Sequence, residues 1–304
     1  MNEIKTILAI GSIAIDSVQS PSGERKNVLG GSVNYFSLAA SLFAPVKVVG
    51  VVGNDYPKEG WQLYKSRNID INNIQVMDGK TFRWGCKYNH DYSSRKTLFT
   101  ELGVFESFCP DIRDNDLCSP LVFLGNIQPD LQLKVAKSTV GAEYIVSDTM
   151  NLWIEKYPDT LRKVMAISNI FLINHEEAFQ ITGLNNIPSA ALRLHTSGPK
   201  IVIIKMGSEG AYVSFNRKAF YVPVFPVEKV IDPTGAGDSF AGGFMGFLAQ
   251  TSKIDIVEAV LAGSAVASYS VEGFGLESIL NITREGLDER ISIIRNRMFA
   301  EENI

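Results

Sequence analysis

Short apolar runs along the chain alternate with longer stretches in which apolar residues recur at helical spacing. Residues 6–10, ending at Gly11, are largely apolar and predict a buried first strand. Residues 46–52 predict another, closing at Gly53-Asn-Asp55, with a helix over 58–67. A helix is also predicted over 35–42, behind Gly30-Gly31. Further strands are predicted at 121–124, 144–147, 170–173 and 201–205, separated by helices over 130–137, 160–166, 175–181 and 189–195. That alternation predicts a parallel sheet with helices on both faces. Residues 211–215 and 220–224 have strand character, and 240–249 and 255–270 read as apolar helices. Two runs break the pattern: 81–88 and 96–101 mix Thr, aromatic and polar residues and predict a hairpin with one wet face.

Length and charge narrow the class. The chain has 304 residues, 45% hydrophobic and 20% charged, with net charge −4. No internal repeat, low-complexity tract or linker divides it, so a single domain over 1–304 is expected. No basic excess points to nucleic acid, and no apolar run approaches the roughly 20 residues of a membrane span. The first residues lack the basic and apolar regions of a signal peptide. Cys86, Cys109 and Cys118 lack metal-ligand spacing, and an odd count suits a reducing, cytoplasmic setting. His90, His175 and His195 are scattered, which speaks against a histidine-based nucleophile relay.

The densest chemistry lies in Asp232-Pro-Thr234-Gly235-Ala236-Gly237-Asp238-Ser-Phe. A Gly-rich turn at a helix start points free N–H groups outward at the positive end of the helix dipole, a site for phosphate. A carboxylate inside such a cradle reads as a proton acceptor for whatever attacks the phosphate. The bland alternative is a Gly-rich helix entry with Asp238 as dipole partner. Asp16, just beyond the first strand, could accept hydrogen bonds from two sugar hydroxyls or simply close a turn. Gly30-Gly31 allows close approach to a ligand, or a tight turn. In Asn174-His-Glu-Glu177 the acids are ordinary first-turn dipole partners. Lys205-Met-Gly207-Ser-Glu-Gly210 ends a strand where α/β sheets bind ligands, though spacing alone makes it a turn.

The stretch 232–240 resembles the C-terminal signature of the PfkB (ribokinase-like) carbohydrate kinases, and Gly30-Gly31 resembles their N-terminal Gly-Gly signature. The resemblance covers most of the chain. It implies a ribokinase-like, doubly wound, mostly parallel α/β sheet flanked by helices, with a small β lid formed mainly by 79–105 plus about 14–28. It implies ATP and Mg²⁺, an anion hole at Gly235, Ala236 and Gly237, and Asp238 as catalytic base. Asp16, Gly30, Gly31 and Asn34 then contact substrate, and Arg83 of the lid could touch it. The family's Asn falls five positions after the first glycine; here Asn34 falls four after, and Tyr35 takes the usual place. The family's Asn-x-x-Glu matches Asn174 and Glu177, whose Glu organises Mg²⁺ through water. Asn174, Lys205, Gly207 and Gly210 become candidates for the nucleotide, Asp232 and Thr234 for a K⁺ site, and the lid for a homodimer contact.

The expected activity is transfer of the γ-phosphate of ATP to a hydroxyl of a sugar or sugar-like small molecule. The aromatic lid (Phe82, Trp84, Tyr88, Phe99) also suits a nucleobase, so a nucleoside kinase of adenosine type is the alternative within the class. A non-catalytic sugar- or nucleotide-binding relative would have no use for a base at Asp238. A dinucleotide-dependent oxidoreductase fails on motif, because the first strand ends Gly11-Ser-Ile-Ala without Gly-x-Gly-x-x-Gly.

Overall fold

The computed structural model describes residues 4–251 and 254–301. The chain begins β1 (Ile7–Ile10), β2 (Ala14–Ser20), β3 (Gly23–Gly30), α1 (Ser32–Ala40), β4 (Val46–Gly53), α2 (Lys58–Ser66), β5 (Asp70–Met77), β6 (Phe82–Tyr88) and β7 (Arg95–Glu101). It continues through β8 (Leu121–Leu124), α3 (Pro129–Ser138), β9 (Tyr144–Ser147), α4 (Asn151–Lys156), α5 (Pro158–Ile167), β10 (Ile170–Asn174), α6 (His175–Thr182), α7 (Ile187–His195) and β11 (Ile201–Lys205). β12 (Ala211–Phe215), β13 (Lys218–Val222), α8 (Ala236–Gln250), α9 (Ile256–Ser270), α10 (Glu277–Leu280) and α11 (Arg284–Glu301) complete it.

Nine strands form one sheet in the order β13-β12-β11-β10-β9-β8-β1-β4-β5. β1 pairs in parallel with both β4 and β8, so the chain winds outward one way and then returns to wind the other. The turning point lies between β1 and β8, and in such sheets ligands bind beyond the carboxyl ends of the strands. β1 and β8 are buried at every position, as continuous apolar runs between two helical layers must be. Antiparallel β12 and β13 close one edge.

The second, smaller sheet, β3-β2-β6-β7, takes in the strands expected to form a lid. β2 and β6 pair in parallel, and each carries an antiparallel outer strand. Side chains latch the lid to the segment before α8. The Tyr92 hydroxyl donates to the Val230 carbonyl (2.9 Å), Ser20 Oγ donates to the Ile231 carbonyl (2.7 Å), and Tyr88 Oη meets Thr234 Oγ1 at 3.1 Å.

Several boundaries differ from the sequence expectation. α1 starts directly after Gly31, because the glycine's backbone serves as N-cap. The strand expected at 220–224 lies at Lys218–Val222, where pairing with β12 sets its limits. β5 and α4 were not foreseen; β5 is an edge strand whose polar sequence gives no apolar alternation.

α1 is buried along its whole length between the sheet and α8. Its Phe36 stacks on Phe123 of β8 with ring centroids 3.9 Å apart, both side chains 0% exposed. Phe36→Ala should lower unfolding free energy by about 3–5 kcal/mol, read from denaturant titration with an unchanged m value. A loss below about 1 kcal/mol would contradict this packing account.

Candidate active site

The segment 230–235 crosses from the lid side to α8, and Gly235 caps the helix in the left-handed region, φ 74°. No side chain could stand there: a Cβ on Gly235 would lie 2.3 Å from the Tyr35 ring. The Ala236 N–H turns back to the Pro233 carbonyl (3.2 Å), and the Ser239 N–H is taken by Gly235. The N–H groups of Gly235, Gly237 and Asp238 donate to no such acceptor among the described residues and are left free at the helix start. The expected trio at 235–237 is thus shifted, with Ala236 spent on the turn.

Asp238 stands in the first turn of α8. Burial and the like charge of Asp148 push its carboxyl up to about 8, against the opposing pull of Lys205 and Arg95. Lys205, at the end of β11, donates to Asp148 Oδ2 at 2.8 Å, and its Nζ would lie 3.0 Å from a Cβ at position 237. Burial pulls the Lys205 ammonium down, but Asp148, Glu177 and Asp238 outweigh it and hold the group above its ordinary value. Asp148, 4% exposed beyond β9, thus belongs to the site. Sequence reasoning missed it; an Asp directly after a buried strand was the available signal.

Glu177 lies in a reciprocal cap at the start of α6. Its N–H donates to Asn174 Oδ1 (2.8 Å), while its Oε2 accepts from the Asn174 N–H (3.1 Å). Asn174, expected at the nucleotide, therefore spends its side-chain oxygen on the helix. Burial, with Asp148 nearby, pushes Glu177 up to about 7. Beyond β11, Gly207 (φ 60°) has open space where a side chain would stand, whereas Gly210 is packed against the Val222 carbonyl. Of that pair, Gly207 alone borders free space.

Asp16 forms the opposite wall, 3% exposed on β2 and accepting from the Gly31 N–H at 3.3 Å. Burial pushes its carboxyl up to about 7. A Cβ on Gly30 would lie 1.9 Å from Asp16 Oδ2, so the carboxylate's position requires glycine there. Two expected substrate ligands are placed elsewhere. Asn34 is 0% exposed; it donates to the Gly30 carbonyl (2.6 Å) and accepts from the Tyr64 hydroxyl, so its amide is consumed in the core. Arg83 pairs with Asp55 (3.0 Å) and Asn27 (2.9 Å). It is the neighbour of Ile15 in register, one step from Asp16, and so leaves the other lid face.

Trp84 is the register neighbour of Asp16 and shares its face. The other lid aromatics are occupied: Phe82 stacks on Phe105, Phe99 covers Gly85, and Tyr88 bonds Thr234. The Arg95 guanidinium lies 5.3 Å from the Trp84 ring centre. Asp232, 1% exposed, accepts from the N–H groups of Thr234 (2.9 Å) and Gly275 (3.2 Å), tying two loops together.

Residues 132–282 match the description "pfkB family carbohydrate kinase". A cytidine kinase of Thermococcus kodakarensis is 32% identical over 246 residues, which is 79% of this chain and 87% of the relative. The chain belongs to the pfkB family. As a carbohydrate kinase of that family it is a phosphotransferase with a hydroxyl group as acceptor. A ribokinase of Haemophilus influenzae is 26% identical over 317 residues, covering 93% of this chain and 98% of the relative. The crystal structure of a Methanocaldococcus jannaschii nucleoside kinase, an archaeal member of the ribokinase family, superposes with TM-score 0.77 at 22% identity, covering 96% and 99% of the two chains. The fold is ribokinase-like.

The raised carboxyls set a pH dependence. Between the ordinary carboxylate range and about pH 7–8, folded protein retains protons on Asp16, Glu177 and Asp238 that the unfolded chain has released. The contribution of these groups to stability is therefore present at low pH and lost as pH rises. The Tm of ligand-free protein should fall between about pH 5 and pH 8, and Asp238→Asn should flatten the fall. A Tm rising across that window in both proteins would contradict the assignment.

Proposed function

We propose that this protein transfers the γ-phosphate of ATP to a sugar hydroxyl of a nucleoside. The observation that carries the reading is a pair of carboxylates, Asp16 buried and Asp238 half-buried, with the charge of the first acting on the second. Asp238 stands among the free N–H groups of α8, and Asp16 stands on the lid with Trp84 on the same face. Asp16 would hold vicinal hydroxyls, and the Trp84 ring would lie against the base. The reading is supported by the 32% identity to a cytidine kinase. A free pentose is the second reading, favoured by the ribokinase relative.

The residues fit a triphosphate and a hard cation. Buried polar atoms without a partner include Thr149 Oγ1 beside Asp148, His175 Nδ1 in the cap of α6 and Ser239 Oγ beside Asp238. Asp148, Glu177 and Asp238 outnumber the Lys205 ammonium and the Arg95 guanidinium that act on them. Among the described residues no group of three or more His, Cys, Asp or Glu could by itself hold a metal, which suits a hydrated ion shared with phosphates. Glu177, through water, would order Mg²⁺, which when bound supplies charge neutralisation between phosphate oxygens. Asp232 and Thr234 would hold K⁺.

The chain's own residues then divide the work. Asp16 holds the acceptor with one hydroxyl toward Asp238. As that oxygen bonds to the γ-phosphorus and the bond to ADP breaks, its proton passes to Asp238. The N–H groups of Gly235 and Gly237, with Lys205, receive the charge developing on the phosphoryl oxygens. The two sheets act as one kinase domain. β7, exposed along its length with Leu98 45% and Phe99 38% exposed, supports pairing of two copies through the lid.

ADP release should be measured with ATP, Mg²⁺ and either cytidine, adenosine or D-ribose, with and without K⁺. Asp238→Asn should lower kcat by about 10³ or more while leaving the Tm transition cooperative. Near-parental kcat in that variant would remove Asp238 as base. Trp84→Ala should raise KM for cytidine by about tenfold and leave KM for ribose nearly unchanged. Silence across the panel, from folded protein that binds ATP, would favour a non-catalytic binder.

A further inference from the structure

The apolar face of α11 is supplied by the buried Leu287, Ile291, Ile294 and Met298, yet Arg290 beside them also turns inward, its side chain 13% exposed. Its guanidinium lies against two rings, 3.4 Å from the Tyr269 centroid and 4.3 Å from that of Phe225. Both arms of the fork are bonded, one to Ser268 Oγ (2.8 Å) and the other to Glu272 Oε2 (2.6 Å). Ser268 and Tyr269 belong to the last turn of α9, whereas Glu272 lies in the loop 271–275 that follows it. A planar cation stacked on rings and bonded at both ends is held in one place, as a lysine would not be.

That loop reaches the segment before α8. The Val271 carbonyl accepts from the N–H groups of Ile231 (2.7 Å) and Asp232 (3.3 Å), and the Gly275 N–H donates to Asp232 Oδ2 (3.2 Å). The opposite edge of the segment is taken by the smaller sheet. There the Val230 carbonyl accepts from Tyr92 (2.9 Å) and Ser22 (3.2 Å), and the Ile231 carbonyl from Ser20 (2.7 Å). Residues 230–232 are thus gripped on both edges, and Gly235 follows them to cap α8. Glu272 adjoins the carbonyl that makes one of those grips, and Arg290 fixes Glu272 from outside the loop. We infer that Arg290 is a positioning residue for phosphoryl transfer. Through Glu272 it holds the Val271 carbonyl, and so the segment that delivers Gly235, Gly237 and Asp238 to the phosphate. The inference rests on the kinase reading above, and goes beyond it because Arg290 and Glu272 act through main chain rather than on substrate. Rate is sensitive to small displacements of groups that must meet a transition state, so a loosened grip acts on turnover before it acts on nucleotide binding.

Arg290→Met tests this, because it keeps an unbranched side chain against the two rings and removes both hydrogen bonds. Glu272→Gln, at a half-buried loop position, is the second variant and leaves α11 untouched. Amide hydrogen exchange at Ile231 and Asp232 should quicken about tenfold in both, with exchange in the middle of α9 unchanged. With whichever of cytidine, adenosine or D-ribose the parent turns over best, kcat well below the Tm should fall about tenfold, and KM for ATP should stay within about twofold. Combining the two substitutions should cost no more than Arg290→Met alone, since both break one connection. Parental exchange at 231 and 232, or a kcat within about twofold of the parent despite a lowered Tm, would overturn the inference and leave Arg290 as helix packing. Additive losses in the double variant would overturn the route through Glu272. A parent that phosphorylates none of the three acceptors would overturn the kinase reading and the effect on turnover with it, while exchange at 231 and 232 would still decide the positioning.

Discussion

Burying negative charge is the constraint around which this protein is built. Asp16, Asp148, Glu177 and Asp232 are each under a tenth exposed, and Asp238 joins them at the mouth of α8. Carboxylates taken out of water persist only with donors in reach or with protons retained. The chain answers with main-chain donors: Gly31 for Asp16, Thr234 and Gly275 for Asp232, Asn174 for Glu177. Asp148 holds the Lys205 ammonium within the cluster, and the Arg95 guanidinium also acts on its acids. What results is a cleft in which acids outnumber bases and several carboxyls hold raised proton affinities.

Backbone supply of those donors explains the local chemistry of the loops. Gly31 delivers an N–H to Asp16 from a left-handed residue, φ 93°, and Gly275 does the same for Asp232 at φ 58°. Side chains at such positions would be strained, and at Gly30 would strike the carboxylate itself. The glycines in the site therefore follow from where the acids are buried. The sheet then sets the distances between those acids, since Asp148, Asn174 and Lys205 all leave the carboxyl ends of neighbouring parallel strands.

Much of this was legible in the amino-acid sequence because it is local. Central strands announce themselves as apolar runs, and the stretch 232–240 concentrates turn, cradle and acid in consecutive residues. What escaped was long-range. Asp148 matters through Lys205, 57 positions away, and nothing near either residue signals the other. Asn34 sits on a helix whose rotation turns its amide into the core, and that rotation follows from its Tyr64 and Gly30 contacts. Arg83 failed for the analogous strand reason, because pleating sends alternate side chains to opposite faces. β5 is polar and sits at a sheet edge, where one covered side suffices.

The lid is latched to the segment before α8 largely through carbonyl oxygens of Val230 and Ile231, reached by Tyr92 and Ser20. An attachment addressed to main chain is indifferent to which amino acids supply it. Residues 230 and 231 can therefore drift among homologues while closure persists, whereas the hydroxyls that reach for them cannot. Descendants of this protein would conserve one half of the fastening and scatter the other, so comparison of sequences alone would make the catch look one-sided.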